Sequence, residues 1–347
     1  MEKTLRSANR RLRIDRIAAV VLFLSAMLLC FPASAENPHF ATIDLPGVAR
    51  TIAFDVNSAG DVVGVFNATC TGTSCSAPHG FILRSGASAP EIIDVPGAAQ
   101  TRVYGINDAG DVVGDYKIGT VSSGFLLRAG SSEFVTVRYQ EGSFTAARTD
   151  LYDIDEQGNA VGTYDDPVKL FGQTHVAAFI WRSGSFSVLQ APFDSTFQTQ
   201  LHGINAQGSV VGCYWTYAPS GNVMHGLAVT TDGNYLSEDF PGSMMSMNWR
   251  ISDSSIRVGQ YTDFDKITHA YVLKDGEYER VDFPGAVYTD ARGVAERPLT
   301  NRRGSWIEIL TVGSYVDTDS KTHGFLFTRK LRVDVDSREG VKQIQLP

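Results

Sequence analysis

Positive charge is in short supply in this chain of 347 residues, where 30 Lys and Arg face 38 Asp and Glu for a formal net charge of -8. Arg6, Arg10, Arg11, Arg13 and Arg16 crowd the N-terminus, so the remainder is more acidic still. Recognition of a phosphate backbone needs a basic face, and nucleic acid is excluded as a partner. Long apolar runs are missing too: the longest, Ile17 to Phe31, spans about 15 residues, short of the roughly 20 that cross a bilayer as a helix. There is no Gly-x-Ser-x-Gly elbow, no His-Glu-x-x-His, no phosphate-cradling loop and no clustered zinc spacing. Enzymes that carry those signatures are excluded, whereas a site assembled from residues far apart in the chain is not. No cofactor and no metal is expected. Cysteines number only four, and no long stretch beyond residue 35 keeps a helical period.

What is present begins with an export signal at residues 1–35. The arginines precede the Ile17 to Phe31 apolar stretch, and Ala33-Ser34-Ala35 supplies small residues for cleavage, which predicts a mature chain of residues 36–347 starting at Glu36. Arg10-Arg11 raises the twin-arginine route, although Leu12-Arg13-Ile14 fits that pattern poorly, and the export route stays open. Leu29 stands where a lipobox ending at Cys30 needs a small residue. The expected product is secreted, extracellular or periplasmic, monomeric and free of the membrane after cleavage. In that oxidising compartment Cys70 and Cys75, in one polar loop, are predicted to form a disulfide, leaving Cys213 as a buried structural thiol.

Internal repetition decides the architecture. An apolar pair, a glycine, any residue and an aromatic recur at Val62-Val63-Gly64-Val65-Phe66, Val112-Val113-Gly114-Asp115-Tyr116, Ala160-Val161-Gly162-Thr163-Tyr164 and Val210-Val211-Gly212-Cys213-Tyr214. Arg257-Val258-Gly259-Gln260-Tyr261 and Thr311-Val312-Gly313-Ser314-Tyr315 complete the set, with about 50 residues between successive glycines. Before this b segment lies an a segment such as Tyr104-Gly105-Ile106-Asn107-Asp108-Ala109-Gly110. After it comes a c segment such as His79-Gly80-Phe81, and then a d segment such as Ile93-Asp94-Val95-Pro96-Gly97. Each is short, rich in β-branched and aromatic residues and fenced by Gly, Asn, Asp or Pro, which describes four antiparallel strands per repeat. The fold class is therefore all-β.

One such unit cannot bury both faces, so copies must stack in a line or close into a ring. A d segment, Phe40 to Gly47, precedes the first complete repeat, while the last repeat ends in the degenerate Val341 to Pro347. This displacement predicts a single β-propeller of about six four-stranded antiparallel blades of roughly 45–50 residues, its ring closed by an N-terminal strand. Either terminus could supply the closing edge. In the last repeat Gly293-Val294-Ala295-Glu296 is a poor a segment, and Asn301 to Ser305 looks inserted. The Ile-Asn-Asp-x-Gly, Val-Val-Gly-x-Tyr, His-Gly-Phe and Asp-x-Pro-Gly elements resemble the extracellular HAF-type repeat family of bacterial secreted proteins. The resemblance covers nearly the whole mature chain, implies a secreted repeat protein and brings no catalytic residues to carry over.

Chemistry-bearing residues mostly repeat with the frame. His79, His225, His269 and His323 occupy one slot in different repeats, would stand apart in a ring, and read as hydrogen-bonding residues of strand c. Asp153, Asp155, Gln157 and Asn159 imitate a calcium loop, but their spacing is shared with the other a-b hairpins and the bidentate glutamate is missing. The b-c loops vary instead, and in a propeller they share one face with the d-a loops. That face would carry Phe171, Trp215, Tyr217 and Phe264 with Asp165, Asp166, Asp263, Asp265, Asp317 and Asp319. Aromatics among acidic groups suit a glycan or another extracellular protein. The expectation is a non-enzymatic binding module using these ten residues; the alternatives are an extracellular polysaccharide hydrolase or lyase with paired carboxylates, and a structural envelope or matrix component.

Overall fold

The computed structural model describes residues 36–72, 74–301, 304–335 and 342–344; the export segment expected at residues 1–35 lies outside them. Each repeat folds as one antiparallel sheet with strands a to d running from the axis outward, and six sheets make the ring. Blade 1 comprises Arg50–Val56, Val62–Asn67, Pro78–Leu83 and Glu91–Ile93; blade 2 comprises Gln100–Ile106, Val112–Ile118, Val121–Leu127 and Phe134–Val137. Blade 3 is Thr149–Ile154, Ala160–Leu170, Gln173–Arg182 and Ser185–Leu189, and blade 4 is Thr196–Ile204, Val210–Thr216, Val223–Val229 and Tyr235–Ser237. Blade 5 is Met245–Ile251, Arg257–Thr262, Thr268–Lys274 and Glu277–Arg280. Blade 6 takes Tyr288–Asn301, Gly304–Val316 and Thr322–Val335 from the end of the chain and Glu36–Ile43 from its beginning.

The b-strand glycine is explained by what faces it. Every a strand carries a β-bulge opposite that glycine, at Phe54, Tyr104, Tyr152, His202, Trp249 and Arg292. The bulge drives the preceding carbonyl into the b strand: a Cβ on Gly64, Gly114, Gly162, Gly212, Gly259 or Gly313 would sit 1.9 to 2.1 Å from the oxygen of Ile52, Arg102, Asp150, Gln200, Met247 or Asp290. No side chain fits there. The bulge in turn aims one extra side chain per blade at the axis.

The d-a turn stitches each blade to the next. A Thr or Ser hydroxyl at the start of strand a accepts a backbone N–H of the incoming turn in all six junctions, at 2.9 to 3.2 Å from Leu45, Val95, Tyr139, Ala191, Phe240 and Phe283. The turn aromatic then stacks on the b-strand tyrosine of the following blade, Phe240 on Tyr261 and Phe283 on Tyr315 with ring centroids 3.7 Å apart. Between sheets, Phe81, Phe125, Phe179, Tyr271 and Phe325 of the c strands are wholly buried. Each removes an aromatic side chain from water, worth about 1.5–3 kcal/mol.

Closure uses both termini on one strand. Strand c of blade 6 pairs with the N-terminal strand through Phe40 opposite Phe327 and Ile43 opposite Gly324, and farther along with Lys342–Ile344 through Val333 opposite Ile344. The N-terminal strand is the fourth strand of the blade, and the C-terminal one extends its far end. Gly293-Val294-Ala295-Glu296 belongs to strand a of blade 6, which continues into a long a-b hairpin pinned by the Arg297–Glu308 ion pair.

Candidate functional site

Along the axis, the residues after the bulges are Asp55, Gly105, Asp153, Gly203, Arg250 and Gly293, alternating large and small. The glycines leave the room: a Cβ on Gly293 would meet Asp55, and one on Gly105 would meet Asp153. Arg250 fills the centre, its Nε 3.2 Å from Asp55 and its Nη1 3.6 Å from Asp153. Its guanidinium also donates to the carbonyls of Tyr104 at 2.5 Å, of Tyr152 at 3.1 Å and of His202. The carboxylates accept the backbone N–H groups of Ile106 and Ile204 from the following blades. Burial pushes Asp153 up to about 8, with Arg250 opposing and Asp55 adding. Asp55 is raised by the same burial.

On the a-b face, above this plug, the turns lock to one another. Asn57, Asn107 and Asn205 each cap their own hairpin through Oδ1 and donate from Nδ2 to the next blade. Asp108, Glu156 and Asp253 accept the N–H of Ser58, Asp108 and Ala206 in the preceding blade. The calcium-like pattern dissolves here: Asp153 serves the axis, while Asp155 accepts the N–H groups of Gln157 and Asn159.

Below the plug the bulge residues form an aromatic ring: Phe54 on Tyr104 at 4.8 Å, Tyr104 on Tyr152 at 5.1 Å, Tyr152 on His202 at 4.8 Å and His202 on Trp249 at 4.6 Å. Arg292 closes it, its guanidinium 4.5 Å from the Phe54 centroid and 4.7 Å from that of Trp249. Burial and the Arg250 charge push His202 down to about 3, so its imidazole is neutral. Toward the b-c face, Arg102 pairs with Asp115 at 2.8 Å and Arg148 with Asp150 at 2.7 Å. Burial and the Asp115 charge push Asp150 up to about 6, against the pull of Arg148. Both carboxylates are inaccessible.

The ten residues expected on the b-c face are there, but they divide. Asp165 to Thr174 is a β-hairpin rather than a loop: strands b and c of blade 3 run on past a register shift between Asp166 and Lys169 to a two-residue turn, Phe171-Gly172. Both turn residues have positive φ, as the twist of such a hairpin requires. At this tip Phe171 lies parallel to Tyr217 of blade 4, with centroids 5.5 Å apart and planes within 1°. Phe171 is 56% exposed and Tyr217 36%. Phe264 stands alone at 74% exposure, whereas Trp215 packs inward against Cys213, Met224 and Met247.

Four of the six aspartates are engaged by neighbouring groups. Asp165 lies 3.7 Å from Arg148, and Asp166 3.3 Å from His175. Asp263 and Asp317 accept turn N–H groups from Ile267 and Lys321 and pair with His269 and His323. These backbone donors first, then the histidines, hold both carboxyls below the usual range. Asp265 and Asp319 are exposed at the turn tips.

The repeated histidines stay with their own sheets. His79, His225, His269 and His323 each set Nδ1 against the aspartate just past strand d, Asp94, Asp239, Asp282 or Asp44, at 2.7 to 2.9 Å. Cys70 and Cys75 form a disulfide, and burial pushes the Cys213 thiol up to about 12, which leaves it unreactive at neutral pH. The axial ring and plug were not recognised in the sequence. Their one signal was an aromatic or histidine two residues ahead of the a-segment isoleucine in four repeats, at Tyr104, Tyr152, His202 and Trp249.

No family model and no curated protein matches the chain. Among solved structures it is similar to a prolyl endopeptidase, at 11% identity and a TM-score of 0.45 over 79% of this chain and 41% of that one. It is similar also to a mutant of AofleA from Arthrobotrys oligospora, at 13% identity and a TM-score of 0.45 over 89% and 90% of the two chains. A third is Aleuria aurantia lectin in complex with Fucalpha1-6GlcNAc, at 12% identity and a TM-score of 0.42 over 88% and 97%. This chain spans less than half the length of the endopeptidase. At these identities and scores the neighbours lend no function to this chain, whose six-bladed propeller architecture rests on its own sheet order.

Proposed function

We propose that the chain is a secreted, non-enzymatic glycan-binding module of the HAF-repeat type, reading its ligand on the b-c face. One observation carries this reading: Phe171 and Tyr217, from different blades, present two exposed parallel rings, and Phe171 does so from a backbone conformation that disfavours it, at φ 51°. Non-glycine residues held at positive φ cost roughly 1–3 kcal/mol and persist where the surroundings or a function require them. An exposed aromatic face complements the C–H face of a sugar ring, and the polar hairpin residues around it can direct hydroxyls. Support for a non-enzymatic role comes from the carboxylates: those near the axis lie beneath arginines or backbone donors, and four on the face cap turns or pair with a cation or histidine.

A glycan array with the mature protein, followed by titration of any hit, tests this. Phe171→Ala and Tyr217→Ala should each weaken binding about tenfold or more with an unchanged melting temperature. Equal binding by both variants, or turnover of a bound polysaccharide, would refute the reading.

A further inference from the structure

Arg50 opens strand a of blade 1 at the b-c face and differs from every other arginine lining the axis. Arg102, Arg148, Arg250 and Arg292 have carboxylate partners in Asp115, Asp150, Asp55 and Asp290. Arg50 has none among the described residues. Its Nε is buried without a hydrogen-bond partner. The acid within electrostatic reach, Asp290, already accepts from Arg292, the Tyr288 hydroxyl and the Ser314 N–H. Burial and the Arg292 charge both disfavour the cation.

This arginine borders a cleft of about 770 Å³ between blades 6 and 1. The disulfide-closed Cys70–Cys75 loop walls one side, and the b-c turn of blade 6, with Asp319 and Lys321, walls the other. Asp44, also in the lining, is matched by His323 at 2.9 Å, and Asp319 is exposed at the rim. Asp319 and Lys321 are solvated at the rim, so the partly buried charge without a counter-ion in the cleft is the arginine. Its planar fork suits a carboxylate, which it can hold in two parallel hydrogen bonds. With Asp44 and Asp319 in the same lining, a carboxylate, with one charge on the group that meets the arginine, is favoured over dianionic phosphate. The volume lies in the range of small-ligand sites.

We propose that this interblade cleft is a second binding site, for the carboxylate of an acidic sugar unit, anchored by Arg50 with Lys321 at the rim. Only the choice of a saccharide rests on the glycan reading above; the site is separate from the Phe171–Tyr217 pair and on other blades.

Calorimetric titration of the oxidised mature protein tests it with digalacturonate, its neutral digalactose counterpart and inorganic phosphate as probes. Digalacturonate should bind at least about tenfold more tightly than the neutral disaccharide or phosphate. Arg50→Gln should remove that preference, and Lys321→Gln should weaken binding about two- to threefold as a screened rim charge does. Free of ligand, Arg50→Gln should melt at the same temperature or higher, since it deletes an unmatched, partly buried charge. Arg50→Lys keeps the charge without the fork and should recover only part of the affinity. The proposal is overturned by equal binding of acidic and neutral disaccharides, by phosphate matching digalacturonate, by unchanged affinity in Arg50→Gln, or by no binding of digalacturonate at all. Loss of neutral-glycan binding in Phe171→Ala beside an intact Arg50 effect would separate the two sites.

Discussion

Arg250 of blade 5 reaches across the propeller axis to Asp55 of blade 1, with Nε 3.2 Å from Oδ1, and both side chains are almost wholly buried. With Asp153 the pair makes a triad of two acids and one base that also takes up three backbone carbonyls. Blades 1, 2, 3 and 4 are thus tied to blade 5 through one side chain. Arg250→Ala should cost about 3–5 kcal/mol in chemical denaturation, because it leaves the buried acids Asp55 and Asp153 and three backbone carbonyls without the guanidinium that meets them. Adding Asp55→Asn and Asp153→Asn to that variant should restore part of the loss. If the single and triple variants are equally unstable, the carbonyl contacts rather than the charges hold the ring.

The same triad predicts a pH dependence. Asp153 titrates at about 8 in the native state against an ordinary value of 3.8. Between those limits the native state keeps a proton that the unfolded chain has released, so its contribution is complete below pH 4 and is lost as pH rises toward 8. His202 works the other way: held at about 3 against 6.5, it adds stability above pH 6.5 and loses it as pH falls toward 3. The two oppose each other below 6.5; above it His202 has no further effect, and Asp153 acts in the same direction as Asp55 and His323, which are also raised. At about 1.4 kcal/mol per pH unit for one proton, Asp153 should account for at most about 2 kcal/mol of the fall in stability from pH 6.5 to 8. Asp153→Asn should reduce this slope in melts across that range; a slope unchanged by the substitution would place the proton elsewhere.

The frame of the ring was legible because the same physical demand recurs in every blade. The b-strand glycines answer to the bulge carbonyls, the Asp-x-Pro-Gly turns to the hydroxyl caps, and the c-strand histidines to the aspartates just past strand d. The displaced segment Phe40 to Gly47 was legible for the same reason, because a strand without a sheet must find one. The axis was not, because there each blade contributes a different piece to one asymmetric arrangement: Asp55, Asp153 and Arg250 are equivalent in register and unlike in chemistry. A search for what repeats discards what differs. Arg50 is illegible for the same reason. Phe171 and Tyr217 are each legible as aromatics of the b-c face, yet their meeting depends on strands b and c of blade 3 running on through a bulge to a two-residue turn, where the sequence suggests a loop.

Gly212 and Gly47 separate two reasons for a glycine. A Cβ on Gly212 would lie 1.9 Å from the Gln200 carbonyl oxygen, so Gly212→Ala must flatten the bulge that aims His202 at the axis. It should cost about 4 kcal/mol or more, or prevent folding. Gly47 has φ +76° with open space around its missing side chain. Gly47→Ala should cost only about 1 kcal/mol, from backbone conformation alone. Equal losses would mean that the close approach is not what selects the b-strand glycine.

The latch can be tested by removal. Without residues 36–47, strand c of blade 6 loses the partner that Phe40 to Ile43 supply, and Phe40 leaves its contacts with Phe283, Phe325 and Phe327. An unpaired edge of that length invites pairing between chains. The truncated protein should melt well below a chain of residues 36–347 and self-associate in light scattering, and a synthetic peptide of residues 36–47 should reverse both. A monomeric truncation of undiminished stability would mean that the ring is held by the axial triad and not by its closing strand.

Phe171 offers a test in which stability and binding move in opposite directions. Its φ of 51° is one that glycine adopts freely and other residues adopt at a cost of about 1–2 kcal/mol, while its ring is 56% exposed and buries little that would repay that cost. Phe171→Gly should therefore raise stability by up to about 1 kcal/mol, because it relieves the turn and loses only the contact with Tyr217. Phe171→Ala keeps a Cβ at the same dihedral and should leave stability near that of the parent. If the ring is there to meet a ligand, both variants lose binding to the same extent, and the gap in melting temperature between them measures the strain alone. If the ring is there to hold blade 3 against blade 4, both variants fall in stability, Gly no less than Ala. A stabilised Phe171→Gly that no longer binds would show that the hairpin tip carries its strain for the ligand's sake.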